Sequence, residues 1–295
     1  MSERDRNSRN PRGPHKGRDG AGEPGRNSGR EQNRPPNRGP GRDSGRPPRR
    51  GRDPGGGDGA AILYGWHTVT MALANPERRI RKLYLTENAA RRLADEKIET
   101  RVAPELVRPD VIDRRLGPDA VHQGLLAEVD PLESPDLDTL PQDGIVLVLD
   151  QITDPHNVGA ILRSAAAFAV KAIVTTARHS PEATGVLAKS ASGALELVPI
   201  VTVSNLARAL GELNDQGFMT VGLDSEGSEN ISAVPLRQPL ALVLGAEGQG
   251  LRRLTRDTCS VVARLDMPGQ IKSLNVSNAA VLALYVGASK LGLMG

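Results

Sequence analysis

The first 59 residues contain only two hydrophobic side chains, Met1 and Ala21, so no ordinary core can form there. The same stretch holds 14 Gly and 9 Pro. A segment this poor in apolar groups cannot bury enough surface to offset the entropy of ordering its backbone, and disorder is the expectation. It also carries 15 Lys or Arg against 8 Asp or Glu, a net of +7. The whole chain of 295 residues is only +3, so the remainder carries −4. No apolar h-region is present, which excludes a secretory signal, and the acidic residues are too many for a mitochondrial transit peptide. Arginine engages phosphate through its planar fork, so an RNA partner is expected for this tail, bound without sequence preference. A purely solubilising extension is the competing reading.

Folding is therefore left to residues 60–295, where hydrophobic and polar runs alternate. Residues 62–75 (ILYGWHTVTMALAN) read as a short strand and a helix, 81–87 as a strand, 91–98 as a helix and 122–129 (HQGLLAEV) as a strand. This defines a small α/β unit over 60–130. A polar, Pro-containing stretch over 131–144 has linker chemistry. The run IVLVLD at 145–150 is continuously apolar, as in strands buried on both faces of a parallel sheet. Helices are expected over 157–170, 184–196, 205–217, 254–259 and 276–291, with strands over 171–176, 198–203, 218–224, 239–247 and 261–267. Strand–helix alternation predicts an α/β fold with a mostly parallel sheet covered on both sides, over 145–295. Ligands of such folds bind at the carboxyl ends of the strands.

No run of about 18 apolar residues occurs, so no membrane-spanning helix is expected, and the cytoplasm is the expected location. The single cysteine, Cys259, excludes an internal disulfide and reads as a small buried hydrophobe. His67, His122, His156 and His179 lack metal-ligand spacing, and no metal is expected. Six aromatic residues in the whole chain are too few for a base-stacking platform.

Three segments follow strands and hold polar groups in excess of what capping needs. In the first, Asp154-Pro155 favours a turn and Asn157 is placed to cap the next helix or to offer its amide to a ligand. Arg163 lies six residues on, about 600° of helical rotation, so the two do not share a face if both are helical. In the second, Gly245, Gly248 and Gly250 permit close backbone approach, with Glu247 between them. Their order is G-x-x-G-x-G, a poor match to a dinucleotide fingerprint. In the third, Ser273, Asn275 and Ser277 alternate with Leu274 and Val276 before an apolar helix, and one cap explains only one of the three polar residues.

Taken in order, N-x-G-x-x-x-R (157–163), L-G-x-E-G-x-G (244–250) and S-L-N-V-S (273–277) resemble the three motifs of the SpoU/TrmH group of RNA ribose 2′-O-methyltransferases. The likeness spans about 145–291, and YGWHTV (64–69) with HQGLLAEV resembles that family's substrate-binding domain. Within the group the chain is most similar to the branch acting on guanosine in 23S rRNA. The resemblance implies a trefoil knot in the C-terminal domain, a homodimer, and S-adenosylmethionine as cofactor. It implies catalytic roles for Asn157, Arg163, Glu247, Ser273 and Asn275, and cofactor contacts from Gly245, Leu265, Met267, Leu274 and Ser277. One departure is visible: the family usually has a proline before its third-motif methionine, and here Asp266 precedes Met267, with Pro268 after it. A tRNA ribose methyltransferase and a non-catalytic RNA-binding or ribosome-assembly protein of the same fold are the alternatives.

Overall fold

In the computed structural model the described residues are 59–117, 119–177, 185–271 and 273–294. The expected disorder of the tail, its RNA binding, and His179 lie outside them. The first elements are β1 (Ala61–Tyr64), α1 (Trp66–Ala74), β2 (Ile80–Leu85), α2 (Glu87–Asp95), β3 (Glu105–Leu106), α3 (Pro109–Leu116) and β4 (Leu125–Val129). They form a four-stranded sheet of order β1-β4-β2-β3. β4 runs antiparallel to both β1 and β2, with Leu126 opposite Tyr64 on one side and Tyr84 on the other. Strand pleating explains its two cores. Leu83, Leu85, Leu125, Ala127 and Val129 face α1 and α2, whereas Tyr84 and Leu126 point the other way, onto Ile112 of α3.

The sequence pattern assigns no element over 99–121, and the structure places β3 and α3 there. Pro109 opens α3 and Gly117, at φ 93°, ends it. One buried isoleucine, Ile112, holds α3 on the sheet, too little apolar surface to show as a periodic pattern. The strand expected over 122–129 begins only at Leu125, because Gln123 and Gly124 both take positive φ.

The chain continues through β5 (Ile145–Asp150), α4 (Pro155–Ala167), β6 (Ala172–Thr176), α5 (Gly185–Ala191), β7 (Ile200–Val203), α6 (Leu206–Asp215), β8 (Met219–Leu223), β9 (Glu229–Asn230), β10 (Leu240–Gly245), α7 (Arg253–Thr258), β11 (Val261–Arg264) and α8 (Val276–Lys290). Their sheet has the order β7-β6-β5-β10-β8-β11-β9, and every neighbouring pair is parallel. In the middle, Ile145 pairs with Leu240 and Asp150 with Gly245, so β5 and β10 end side by side. β8 ends next to them at Leu223. Ile145, Leu147, Leu149, Leu240, Leu242 and Leu244 join one core with α4, α5 and α8; Val146, Val148, Ala241 and Val243 face a second core with α6. Burial on both faces is why IVLVLD reads as an unbroken apolar run.

The helix expected over 184–196 is interrupted. It stops at Ala191, Ser192 and Gly193 adopt φ 51° and 89°, and a single 3-10 turn follows at Ala194–Glu196. A Cβ on Gly193 would lie 2.5 Å from Met71 of α1, so the break lets the two sheets' helices approach. Nearby, Arg78 (6% exposed) pairs with Glu196 (2% exposed) at 2.7 Å, and the Arg78 Nη1 donates to the Asp130 carbonyl at 2.8 Å. The 131–144 segment is also packed: Leu137 and Leu140 are buried in the second core, and Ser134 Oγ accepts from the Thr202 N–H at 2.9 Å.

Candidate functional site

The site lies where β5, β10 and β8 end. Beyond Gly245 the chain doubles back: Gly250 N–H donates to the Ala246 carbonyl at 2.9 Å, and Gly248 and Gly250 take φ 74° and 66°. A Cβ on Gly245 would lie 2.2 Å from the Gly250 carbonyl atoms, so only glycine allows the loop this close. Two buried carboxylates hold its far end. Asp150, 1% exposed, accepts from the Arg252 N–H at 3.0 Å and from its Nε at 2.7 Å. Asp224 accepts from the Leu251 N–H at 3.4 Å and pairs with Arg256 at 2.6 Å. Burial pushes the Asp224 carboxyl up, but its bonds from Arg256, Glu226 N–H and Leu251 N–H, with the Arg256 charge, outweigh that and hold it below the ordinary carboxylate range.

Four polar residues from three distant segments form one hydrogen-bonded chain. Ser277 donates twice to Asn275 Oδ1, from its N–H at 2.9 Å and its Oγ at 2.5 Å. Asn275 Nδ2 donates to Asn157 Oδ1 at 2.9 Å, and Asn157 Nδ2 donates to Glu247 Oε1 at 3.3 Å. Glu247 Oε1 also accepts from the Val276 N–H at 3.1 Å, at the start of α8. The Asn157 amide is therefore used at both ends, which fixes its orientation.

Beside this network lies a cavity of about 720 Å³, within the ~300–1,000 Å³ common for small-molecule sites. Gly245, Glu247, Leu265, Met267, Ser273 and Leu274 line it. Asn157, Asn275 and Ser277 do not; Ser277 supports Asn275 instead. Arg163 is exposed on α4, lines no part of the cavity and makes no ion pair or hydrogen bond with the described residues. The cap expected from Asn157 is supplied by Asp154, whose side chain accepts from the His156 N–H at 3.1 Å. Asn157 sits one turn inside the helix, free to reach across to Glu247 and Asn275.

Asp224 and Ser225 also line the cavity and were missed by sequence reasoning. They directly follow β8, and the carboxyl-end rule would have found them had it been applied to every strand. Among the described residues no group of three or more His, Cys, Asp or Glu is placed to hold a metal ion, and no helix is long and apolar enough to cross a membrane. Cys259 is half-buried against the second core, and burial, with the Asp150 charge adding, pushes its thiol up to about 12.

A parallel sheet with a glycine-tight loop, a cavity at its strand ends and an Asn–Asn–Glu network beside it places this chain in the class of α/β proteins that bind a ligand at the carboxyl ends of their strands. Residues 144–285 match the model of the SpoU rRNA methylase family, and residues 62–135 match that of the RNA 2′-O ribose methyltransferase substrate-binding domain. The 23S rRNA (guanosine-2′-O-)-methyltransferase RlmB of Ralstonia nicotianae is 38% identical over 234 residues, 76% of this chain and 93% of that protein. Its namesake in Pseudomonas putida is 36% identical over 76% of this chain and 94% of its own. The crystal structure of the SpoU methyltransferase AviRb from Streptomyces viridochromogenes, in complex with the cofactor AdoMet, superposes with a TM-score of 0.68 at 25% identity, over 80% of this chain and 92% of that one. The chain belongs to the SpoU rRNA methylase family.

Proposed function

We infer that this protein transfers a methyl group from S-adenosylmethionine to the ribose 2′-hydroxyl of a guanosine in 23S rRNA. The observation that carries the reading is the Asn157–Glu247–Asn275 network, which joins all three family motifs and reaches the cavity through Glu247. The 36–38% identity to proteins named for that reaction, over nearly their whole length, supports the substrate.

The cavity fits the cofactor's chemistry. Leu265, Leu274 and Met267 offer apolar walls, and the glycine at 245 lets the 246–250 loop fold tightly enough to shape the cavity's rim. When bound, S-adenosylmethionine supplies an electrophilic methyl on a sulfonium. The protein's share is orientation and proton management. Glu247, Asn157 and Asn275 are interlinked, and Ser273 lines the cavity with no hydrogen bond from its hydroxyl among the described residues, so these groups position the ribose. Arg163 serves by binding the neighbouring phosphate and stabilising developing negative charge on the 2′-oxygen. A guanidinium hardly deprotonates in proteins, so the role of base is not assigned to it.

The reading extends to the architecture. Residues 60–130 bind substrate RNA and 145–295 form the catalytic domain. The chain past β11 threads a trefoil knot, and the protein acts as a homodimer in the cytoplasm. Its tail over 1–59 attracts RNA through charge, compensating the −4 of the remainder.

The test incubates the protein with methyl-labelled cofactor and separate 23S rRNA and tRNA pools, then maps the modified ribose. Label on a 23S guanosine 2′-oxygen is the expected result. Label confined to tRNA would move the substrate, and absence of cofactor binding in calorimetry would make the protein a non-catalytic RNA binder.

A further inference from the structure

We propose that a polar seam running from α1 over α5 to α4 is a track for the RNA backbone, with Lys189 as its phosphate anchor. This rests on the proposed function and adds the path by which RNA held on the small sheet enters the catalytic centre.

Helix α5 sits between the two lobes. On one side Thr68 Oγ1 of α1 donates to the Ala188 carbonyl at 3.2 Å, in a buried contact. On the other, Gly159 of α4 allows α5 so close that a Cβ there would lie 2.3 Å from the Ser190 Cβ. Polar side chains of the three helices accompany these contacts. His67 is exposed on α1. The Lys189 ammonium lies 5.4 Å from the centre of the Tyr64 ring. Ser190 Oγ lies 3.3 Å from His156 Nδ1, at the start of α4, and His156 is the neighbour of Asn157 in the catalytic network. Arg163 follows His156 by seven residues, two helical turns, and so lies on the same stripe of α4.

Charge sets these side chains apart. Most arginines of the described residues are tied to carboxylates or backbone carbonyls, as Arg78, Arg115, Arg252 and Arg256 are. Lys189 and Arg163 have no acidic partner among the described residues, and neither does His67. Lys189 is half-buried with its ammonium over the Tyr64 ring, so it has fewer positions than a free surface lysine and less entropy to lose on binding. A lysine and an arginine on either side of a Ser–His pair, all donors, match the repeating anions and 2′-hydroxyls of a single RNA strand. Without aromatic groups facing outward, the seam reads backbone and leaves base identity to other contacts.

The test uses the full chain, in-vitro transcribed 23S rRNA and three variants, Lys189→Ala, Lys189→Met and Lys189→Arg. Affinity is followed by filter binding across a salt series, methylation by label incorporation, and cofactor binding by calorimetry. Loss of one charged phosphate contact should weaken RNA binding about tenfold and reduce the salt slope by roughly 0.7–0.9. The Ala and Met variants should show both effects with cofactor affinity unchanged, and Arg should restore them. A wild-type slope in both Ala and Met variants overturns the proposal. So does a loss in Ala that Met repairs, which would make Lys189 a packing residue on Tyr64. If the wild-type protein binds 23S rRNA but does not methylate it, the function reading fails while the slope measurement still decides the track.

Discussion

Adding one methyl group at Gly245 should disable the cofactor cavity. In Gly245→Ala the new Cβ meets the Gly250 carbonyl atoms at 2.2 Å and the Leu251 nitrogen at 2.5 Å. Ordinary contact begins at 3.4 Å, so backbone must move by about 1 Å. Little freedom exists to do so, because the loop is closed by Gly250 N–H on Ala246 and its far end is held by Asp150 and Asp224. The displacement falls on Glu247, which would be pulled from both Asn157 and the start of α8. Overpacking of this kind costs about 1–3 kcal/mol, and a misplacement near 1 Å can reduce activity roughly 100-fold. Calorimetry with S-adenosylmethionine should show affinity reduced at least tenfold, with urea unfolding reporting the stability loss and label incorporation the fall in turnover. An Ala variant with wild-type affinity and wild-type stability would refute the argument that backbone proximity at Gly245 shapes the cavity.

Other perturbations probe different parts of the molecule. Arg78→Ala leaves Glu196 buried without its counter-charge, and should cost about 3–5 kcal/mol in urea unfolding; the double variant Arg78→Met with Glu196→Leu should recover most of it. The folded pKa of Asp224 lies below its ordinary 3.8, so its contribution to stability is complete above that value and is lost as pH falls through the lower folded pKa. The stability gap between wild type and Asp224→Asn, followed by urea midpoints, should therefore be constant near neutrality and close only in acid. Deleting residues 1–59 removes +7 of charge and should weaken 23S rRNA binding at about 50 mM salt far more than at 200 mM; unchanged affinity at the lower salt would dismiss the tail's role.

Much of the parallel sheet was legible because its strands are buried on both faces and their sequences say so, IVLVLD above all. The three site segments were legible as polar clusters after strands. What escaped has physical reasons. β9 has two residues and rests on one pairing with β11, too short for any pattern. α3 shows only one fully buried residue. Asp150 and Asp224 looked like ordinary strand-terminal acids, and their role as anchors of the glycine loop depends on partners 102 and 27 residues away. Asp154 was read only as part of a turn and Asn157 as a cap or a ligand contact; the structure gives the cap to Asp154 and the network to Asn157. The break at Ser192–Gly193 reflects tertiary contact with Met71, which local periodicity does not contain.

The order of the strands has a temporal consequence. β5 and β10 are neighbours in space but stand apart in the chain by four intervening strands, and Asn157 meets Asn275 across 118 residues. Such non-local pairing is slow to form. The small sheet closes within about 70 residues, and Asn157, Glu247 and Asn275 all follow it in the chain, so its sequence is complete during synthesis before that of the methyl-transfer centre. Asn157 and Glu247 can meet once β10 pairs with β5, and Asn275 joins them only when α8 docks. A nascent chain thus completes its small sheet before its three site segments can meet, and an assembled site becomes a signature of the fully folded chain.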